Sequence, residues 1–145
     1  MFHELVYTSI AHPHAMQSAE LERILVGARK NNSAQGITGL LIYGRGEFVQ
    51  LLEGPREAVQ QVFNEIISRD QRHGGVSLAW EQAVAQRSFA EWWMGFAHAG
   101  GLDAPVSPGL EGYLQHGIGG LDLSGPGSTG RKLLLNIYEQ LRASR

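Results

Sequence analysis

Residues 30–54, KNNSAQGITGLLIYGRGEFVQLLEG, decide how the chain is read. They predict a helix end, a turn, a strand, a tight connection and a second strand. Asn31, Asn32 and Gly36 end the helix and turn the chain. The strands cover residues 37–43 and 47–53, and Gly44-Arg45-Gly46 joins them as a hairpin. In the second strand Phe48, Gln50 and Leu52 share one face, and Glu47, Val49, Leu51 and Glu53 share the other. Three amides, Asn31, Asn32 and Gln50, therefore stand beside apolar runs. A buried amide left without a partner costs roughly 1–3 kcal/mol, so each of them needs one.

The flanks complete the fold. Residues 3–10, HELVYTSI, predict a first strand with Leu5, Tyr7 and Ser9 on one face and Val6, Thr8 and Ile10 on the other. After a turn at Pro13, Ser18 suits the N-cap of a helix whose stripe is Leu21, Ile24, Leu25 and Ala28. Beyond the hairpin, Gly54-Pro55 breaks the strand and opens a second helix over about 56–69, with Val59, Val62, Phe63, Ile66 and Ile67 as its apolar side. A turn over 70–75, a strand over 76–84 and a short strand over 92–97 follow. The order β-α-β-β-α-β plus one short strand predicts an α+β, ferredoxin-like domain with both helices on one sheet face. Val49 and Leu51 leave the other face in need of a cover. Residues 131–143, with Leu133, Leu134, Ile137, Tyr138 and Leu141, supply a C-terminal helical cap. Residues 98–108 read as a linker and 109–116 as a short helical piece, which divides the chain into a domain over 1–97 and a linker and cap over 98–145.

Composition narrows the functional classes. The 145 residues suit one domain with its own core. A net charge of −2, without a basic stripe, gives no electrostatic footprint for nucleic acid or an anionic membrane. The absence of Cys excludes disulfides, thiolate metal sites and Cys nucleophiles, and fits a cytoplasmic protein. Neither a secretory leader nor a membrane-spanning run of roughly 20 residues is expected. Gly125 to Gly130 matches G-x-G-x-x-G, yet the chain ends 15 residues later, without the second strand and acidic residue that a dinucleotide fold needs. The six His include no helical H-x-x-x-H pair, so no metal site is expected.

The amides carry the chemistry. Asn at a helix end is a common structural choice, and Tyr7 alone reads as a core tyrosine. Gln50 in mid-strand, between Phe48 and Leu52, is harder to account for. In the predicted topology the first and third strands are neighbours, so Tyr7 and Gln50 can meet on the face under the helices. The Asn pair lies above that face. All converge on the groove between the helices, where a planar heterocycle with donors and acceptors would satisfy them.

The segments LVYTS, ARKNNSAQGITGLLIY, EFVQLLEG, DQRH and RSFAEWWMGF, in this order and spacing over about residues 3–97, resemble the BLUF domains, blue-light sensors that use FAD. The resemblance implies a photoreceptor rather than a turnover enzyme. It implies that Asn31 and Asn32 bind the pyrimidine edge of the flavin. Gln50 bonds near N5 and the C4 carbonyl, and Tyr7 bonds Gln50. In the family, light drives electron and proton transfer from the tyrosine, the glutamine rearranges, and absorption shifts to the red. Trp92 and Met94 match the family's W-x-M, with one of the two expected near Gln50; Trp93, between them, is expected to pack under the C-terminal part. Ser9 matches a small polar residue near the tyrosine, and Ile24 and Phe48 are expected flavin walls. Asp70, Arg72 and His73 match a turn near the flavin side chain, where a cation meets phosphate; Arg29 or Lys30 can serve equally.

The sequence shows no output domain, so the signal is expected to leave through a homo-oligomer or to a separate effector protein. Two other readings remain at this point. One is an acylphosphatase-type ferredoxin-like enzyme, which needs an Arg in the first strand–helix loop where this chain has Ala11-His12-Pro13-His14-Ala15. The other is a flavin-free binding module.

Overall fold

Strands that alternate as these do bury two faces at once, and the chain supplies helices for both. The computed structural model describes residues 1–12, 18–89, 93–98 and 128–143. The strands are β1 (Phe2–Ala11), β2 (Thr38–Gly44), β3 (Glu47–Gly54), β4 (His73–Val84) and β5 (Gly95–His98). The helices are α1 (Ser18–Gln35), α2 (Arg56–Gln61), which continues as a π-helix over Val62–Ile67, and α3 (Thr129–Ala143). The sheet order is β4-β1-β3-β2-β5. Neighbours are antiparallel except β2 and β5, which are parallel. The first four strands thus take the expected ferredoxin-like order, and the short fifth strand extends it at the β2 edge.

One face packs Leu5, Tyr7, Leu41, Phe48 and Leu52 under Leu21 and Leu25 of α1 and Val59 of α2. The opposite face packs Val6, Leu40, Ile42, Val49 and Leu51 against Leu134, Leu135, Tyr138 and Leu141 of α3. Two helices on one face and a C-terminal helix on the other is the expected α+β architecture.

Several boundaries differ from the sequence reading, each for a local reason. Asn31 and Asn32 do not end α1; they occupy its last turns. The helix closes at Gly36, with φ 73°, and the Ile37 amide donates back to the Asn32 carbonyl at 2.9 Å. This is a Schellman ending, which only a residue tolerant of positive φ provides cheaply. The second helix widens into π geometry, marked by the Ser68 amide donating to the Phe63 carbonyl at 3.0 Å. Strand β4 begins at His73, before the predicted start at 76, and keeps pairing with β1 through two register shifts. Strand β5 is confined to Gly95–His98. Trp93 precedes it and is 48% exposed rather than buried. In α3, Leu135 is buried, while Leu133 and Ile137 are only partly so. Trp92, the helical piece over 109–116 and nearly all of the linker lie outside the described residues.

Candidate functional site

The register of β1 and β3 places Tyr7 directly opposite Gln50. Both side chains point to the face beneath α1 and α2, and both are buried. The Tyr7 hydroxyl donates a short hydrogen bond to Gln50 Oε1. Burial, and secondarily the charge of Asp70, pushes the Tyr7 hydroxyl well above the usual tyrosine range. Tyr7 is therefore a neutral hydroxyl, and in the bond it makes here the Gln50 oxygen faces Tyr7 while the nitrogen faces away. That nitrogen donates to Met94 Sδ at 3.2 Å. A thioether is a weak acceptor, so the amide spends one N–H on a poor partner.

Above Gln50 lies a cavity of about 270 Å³ between α1 and the π-helix. Ile24, Gly27, Ala28 and Asn31 of α1 form one wall, at the spacing of a single helical stripe. Val62, Ile66 and Ile67 form the other. The π turns matter here, because they bring three apolar side chains within six residues onto the same wall. Phe48, Leu41 and Leu52 line the floor. The result is an apolar slot with a few convergent polar groups, the usual make-up of a small-molecule site.

The polar groups differ in how far they are satisfied. Asn32 is buried and donates to the Trp93 carbonyl at 3.0 Å, tying α1 to the approach to β5. Asn31 lines the cavity and makes no side-chain hydrogen bond within the described residues. His73 Nε2 lies 2.7 Å from the Ile67 carbonyl and Nδ1 lies 2.7 Å from Ser9 Oγ. Since a carbonyl only accepts, Nε2 donates to Ile67, and Nδ1 pairs with the Ser9 hydroxyl. His73 packs edge-on against Tyr7 and Phe48, at 6.3 and 6.0 Å between ring centres. It therefore holds the π-helix carbonyl, β1 and the cavity floor together.

Arg72 lines the rim, bonded through Nη2 to Asp70 at 2.8 Å and through Nη1 to Glu20 at 3.0 Å. Burial works against the Asp70 charge, but hydrogen bonds from Arg72 outweigh it and hold the carboxyl below its usual range. Arg23 also lines the rim, a cation that sequence reasoning missed. It lies one turn before Gly27, at the edge of the same stripe. Arg29 and Lys30 do not line the cavity: Arg29 Nε donates to the Met94 carbonyl at 2.8 Å, and Lys30 is exposed. Gly27 was missed as well; its place one turn from both Ile24 and Asn31 was the available signal. Among the described residues no group of His, Asp and Glu is placed to hold a metal ion, and no helix is long and apolar enough to cross a membrane.

An apolar slot, an Asn amide without a side-chain partner among the described residues and a Gln N–H given to sulfur fit the edge of a planar heterocycle such as flavin. Comparisons with known proteins point the same way. Residues 2–95 match the sequence profile of the BLUF family, sensors of blue light using FAD. The photoactivated adenylate cyclase subunit beta of Euglena gracilis is 35% identical over 89 residues, 61% of this chain and 10% of that protein. The chain thus spans about a tenth of the length of that curated relative. Among solved structures, BlrB in its dark state superposes with a TM-score of 0.67 at 31% identity, covering 97% of both chains. BlsA in its photo-activated state gives 0.68 at 27% identity, over 100% of this chain and 97% of its own. The chain belongs to the BLUF family, the sensors of blue light that use a flavin.

Proposed function

We propose that this chain senses blue light through a switch made of Tyr7, Gln50 and Met94, with FAD bound in the cavity between α1 and the π-helix. The observation that carries the reading is the Gln50 amide, held by a strong donor on one side and a weak acceptor on the other. An amide carries an acceptor at one end and a donor at the other, and the Tyr7 hydroxyl can pair with either, so turning it over gives the second arrangement that a two-state device requires. A bound flavin supplies, on excitation, an acceptor for one electron. Tyr7 gives that electron and its hydroxyl proton, and takes both back after Gln50 has rearranged. Turning the amide over points Oε1 at Met94 Sδ and removes the N–H···S contact, so Met94 must shift. Met94 leads directly into β5, and its carbonyl is held by Arg29 of α1. The change at Gln50 thus reaches both the sheet edge and the helix.

The remaining residues take supporting roles. Asn31 and Asn32 bind the pyrimidine edge, Asn31 directly and Asn32 while holding the Trp93 carbonyl. Ile24 and Phe48 wall the ring, and Ser9 and His73 fix the floor beside Tyr7. Arg72 and Arg23 at the rim meet the phosphates; the diphosphate of FAD draws more from such cations than the single phosphate of FMN. The sensor core spans 1–97, and 98–145 carries the cap. Output passes to an effector protein in trans, with a homo-oligomer as the assembled form and the cytoplasm as its setting.

The test is spectroscopic. Purified protein loaded with FAD is expected to be yellow, to shift its absorption to the red under blue light, and to return in the dark. Tyr7→Phe is expected to bind flavin and lose the shift. A Tyr7→Phe protein that keeps the photocycle would rule out this mechanism, and a chain that takes up no flavin would rule out the function.

A further inference from the structure

The cations at the cavity rim are already engaged by carboxylates. The Arg72 amide and Nε donate to Asp70 Oδ1 at 2.9 and 3.0 Å, and Nη2 donates to Oδ2 at 2.8 Å. The remaining nitrogen, Nη1, donates to Glu20 Oε1 at 3.0 Å. The other Glu20 oxygen, Oε2, accepts from Arg23 Nη1 at 2.6 Å. A single carboxylate thus bridges both rim guanidiniums, with one oxygen to each.

Glu20 lies in the first turn of α1, where an acidic residue suits the helix dipole. That preference accounts for an acid at this end of the helix but not for the bridge. Glu20 stands one turn before Ile24, on the stripe that runs on through Ala28 and Asn31 along the cavity wall, although it does not itself line the cavity. Hydrogen bonds from Arg72, and then from Arg23, hold its carboxyl below the usual range, so it is charged at neutral pH. The positive charges of Arg23 and Arg72 are therefore matched by the negative charges of Glu20 and Asp70. The rim is neutral at the place where a phosphate would meet it.

A carboxylate in this place either positions the arginines or takes donors that a phosphate would use. The contacts separate the two roles. Asp70 fixes Arg72 through the backbone amide and two side-chain nitrogens, so Arg72 stays at the rim without Glu20. The Arg23 side chain is 69% exposed and projects from α1 beside the cavity, so the helix and not Glu20 brings it there. What Glu20 removes is one N–H of each guanidinium. A carboxylate and a phosphate oxygen ask for the same charge-assisted bond.

We propose that Glu20 is a specificity-determining residue of the flavin site: it competes for Arg72 and Arg23, limits what the phosphates contribute to binding, and leaves the ring to decide affinity. This rests on the proposed photosensing function, which brings a flavin ring to the cavity and its phosphates to the rim. The same negative charge also repels an approaching phosphate. Removing it returns an N–H of each arginine to the ligand.

Titration of the flavin-free protein with riboflavin, FMN and FAD, followed by quenching of flavin fluorescence, tests the assignment. The three ligands share the ring, and riboflavin carries no phosphate. Glu20→Gln is expected to bind FMN and FAD about fivefold more tightly than wild type and riboflavin equally well, with the gain fading as salt approaches about 1 M. Glu20→Ala, which keeps no acceptor at all, is expected to gain at least as much. An equal change for all three flavins would mean an effect on folding or packing and would overturn the proposal. Weaker binding of FMN and FAD, with riboflavin unchanged, would make Glu20 a residue that positions the arginines and would overturn it as well. Wild-type protein that binds none of the three would count against the photosensing function itself, whereas wild-type binding of all three with no change in either variant would overturn the role of Glu20 alone.

Discussion

Strands β1 and β3 carry polar side chains to both faces of the sheet, and the two faces treat them differently. Toward α1 and α2, Tyr7 and Gln50 satisfy each other in part, and Asn31 has no partner within the described residues. Toward α3, Glu4 and Glu53 lie opposite one another, and each is saturated with donors. Glu4 takes Ser128, Gly130 and Trp80; Glu53 takes Thr38, Ser88 and Phe89. Arg87 completes the second cluster by donating to Thr38 Oγ1 at 2.8 Å and to the Gly36 carbonyl at 2.7 Å. Buried polar groups in native proteins find partners. Glu4 and Glu53 find theirs within the protein and so hold the fold, whereas Asn31, only half-buried, faces the cavity.

The largest effect that would test this contrast is on the cavity side. Gln50→Leu is expected to abolish the light-induced red shift while leaving a folded, flavin-binding protein. The Tyr7 hydroxyl then loses its partner, at a stability cost of about 1–3 kcal/mol. Absorption before and after blue light, together with a urea titration, measures both. A variant that still shifts would mean that the half-satisfied amide is not the switch.

The mirror-image change on the α3 side acts on folding. Glu53→Ala leaves two amides, a hydroxyl and part of the Arg87 environment without their acceptor, and is expected to cost about 3–5 kcal/mol. Urea denaturation of the flavin-loaded protein measures it. A loss below about 1 kcal/mol would break the contrast, since Glu53 would then be no more of a fold holder than a surface carboxylate.

A smaller effect sharpens the comparison through pH. Burial, only partly offset by the Ser88 and Phe89 amides and Thr38, raises the Glu53 carboxyl. The folded state then binds this proton more tightly than the unfolded chain. Its contribution is fully present below the unfolded value of roughly 4.3 and is lost as pH rises through the folded value. Asp70 behaves oppositely. Its lowered carboxyl contributes above roughly 3.9, and that contribution is lost as pH falls through the folded value. Urea midpoints followed upward from acid pH should show Glu53→Gln gaining on wild type and Asp70→Asn falling behind it. Slopes of the same sign would mean that the two carboxyls share one environment.

Much of the site was legible because it depends on short-range periodicity. Alternation along β1 and β3 placed Tyr7 and Gln50 on one face, and the element order made those strands neighbours. The stripe Ile24, Ala28 and Asn31 was present in the spacing, although Asn31 and Asn32 read as a helix end because Asn is favoured there. What was not legible came from partners far apart in sequence. Glu53 read as one more residue on the far face, and Glu4 drew no attention. Their partners lie 15 to 36 and 76 to 126 residues away. The choice between Arg23 and Arg29 for the cavity rim likewise turned on helix phase.

By itself the sequence determined the element order, the face each strand residue occupies and the family, because these follow from backbone periods and from residues at fixed spacing. Only the tertiary structure decided which polar groups are satisfied. That depends on donors brought together from distant segments, and no local pattern records whether a buried oxygen has met its partner. Through that difference Met94 stands beside Gln50, Asn31 faces the cavity, and Glu4 accepts from the first turn of the last helix.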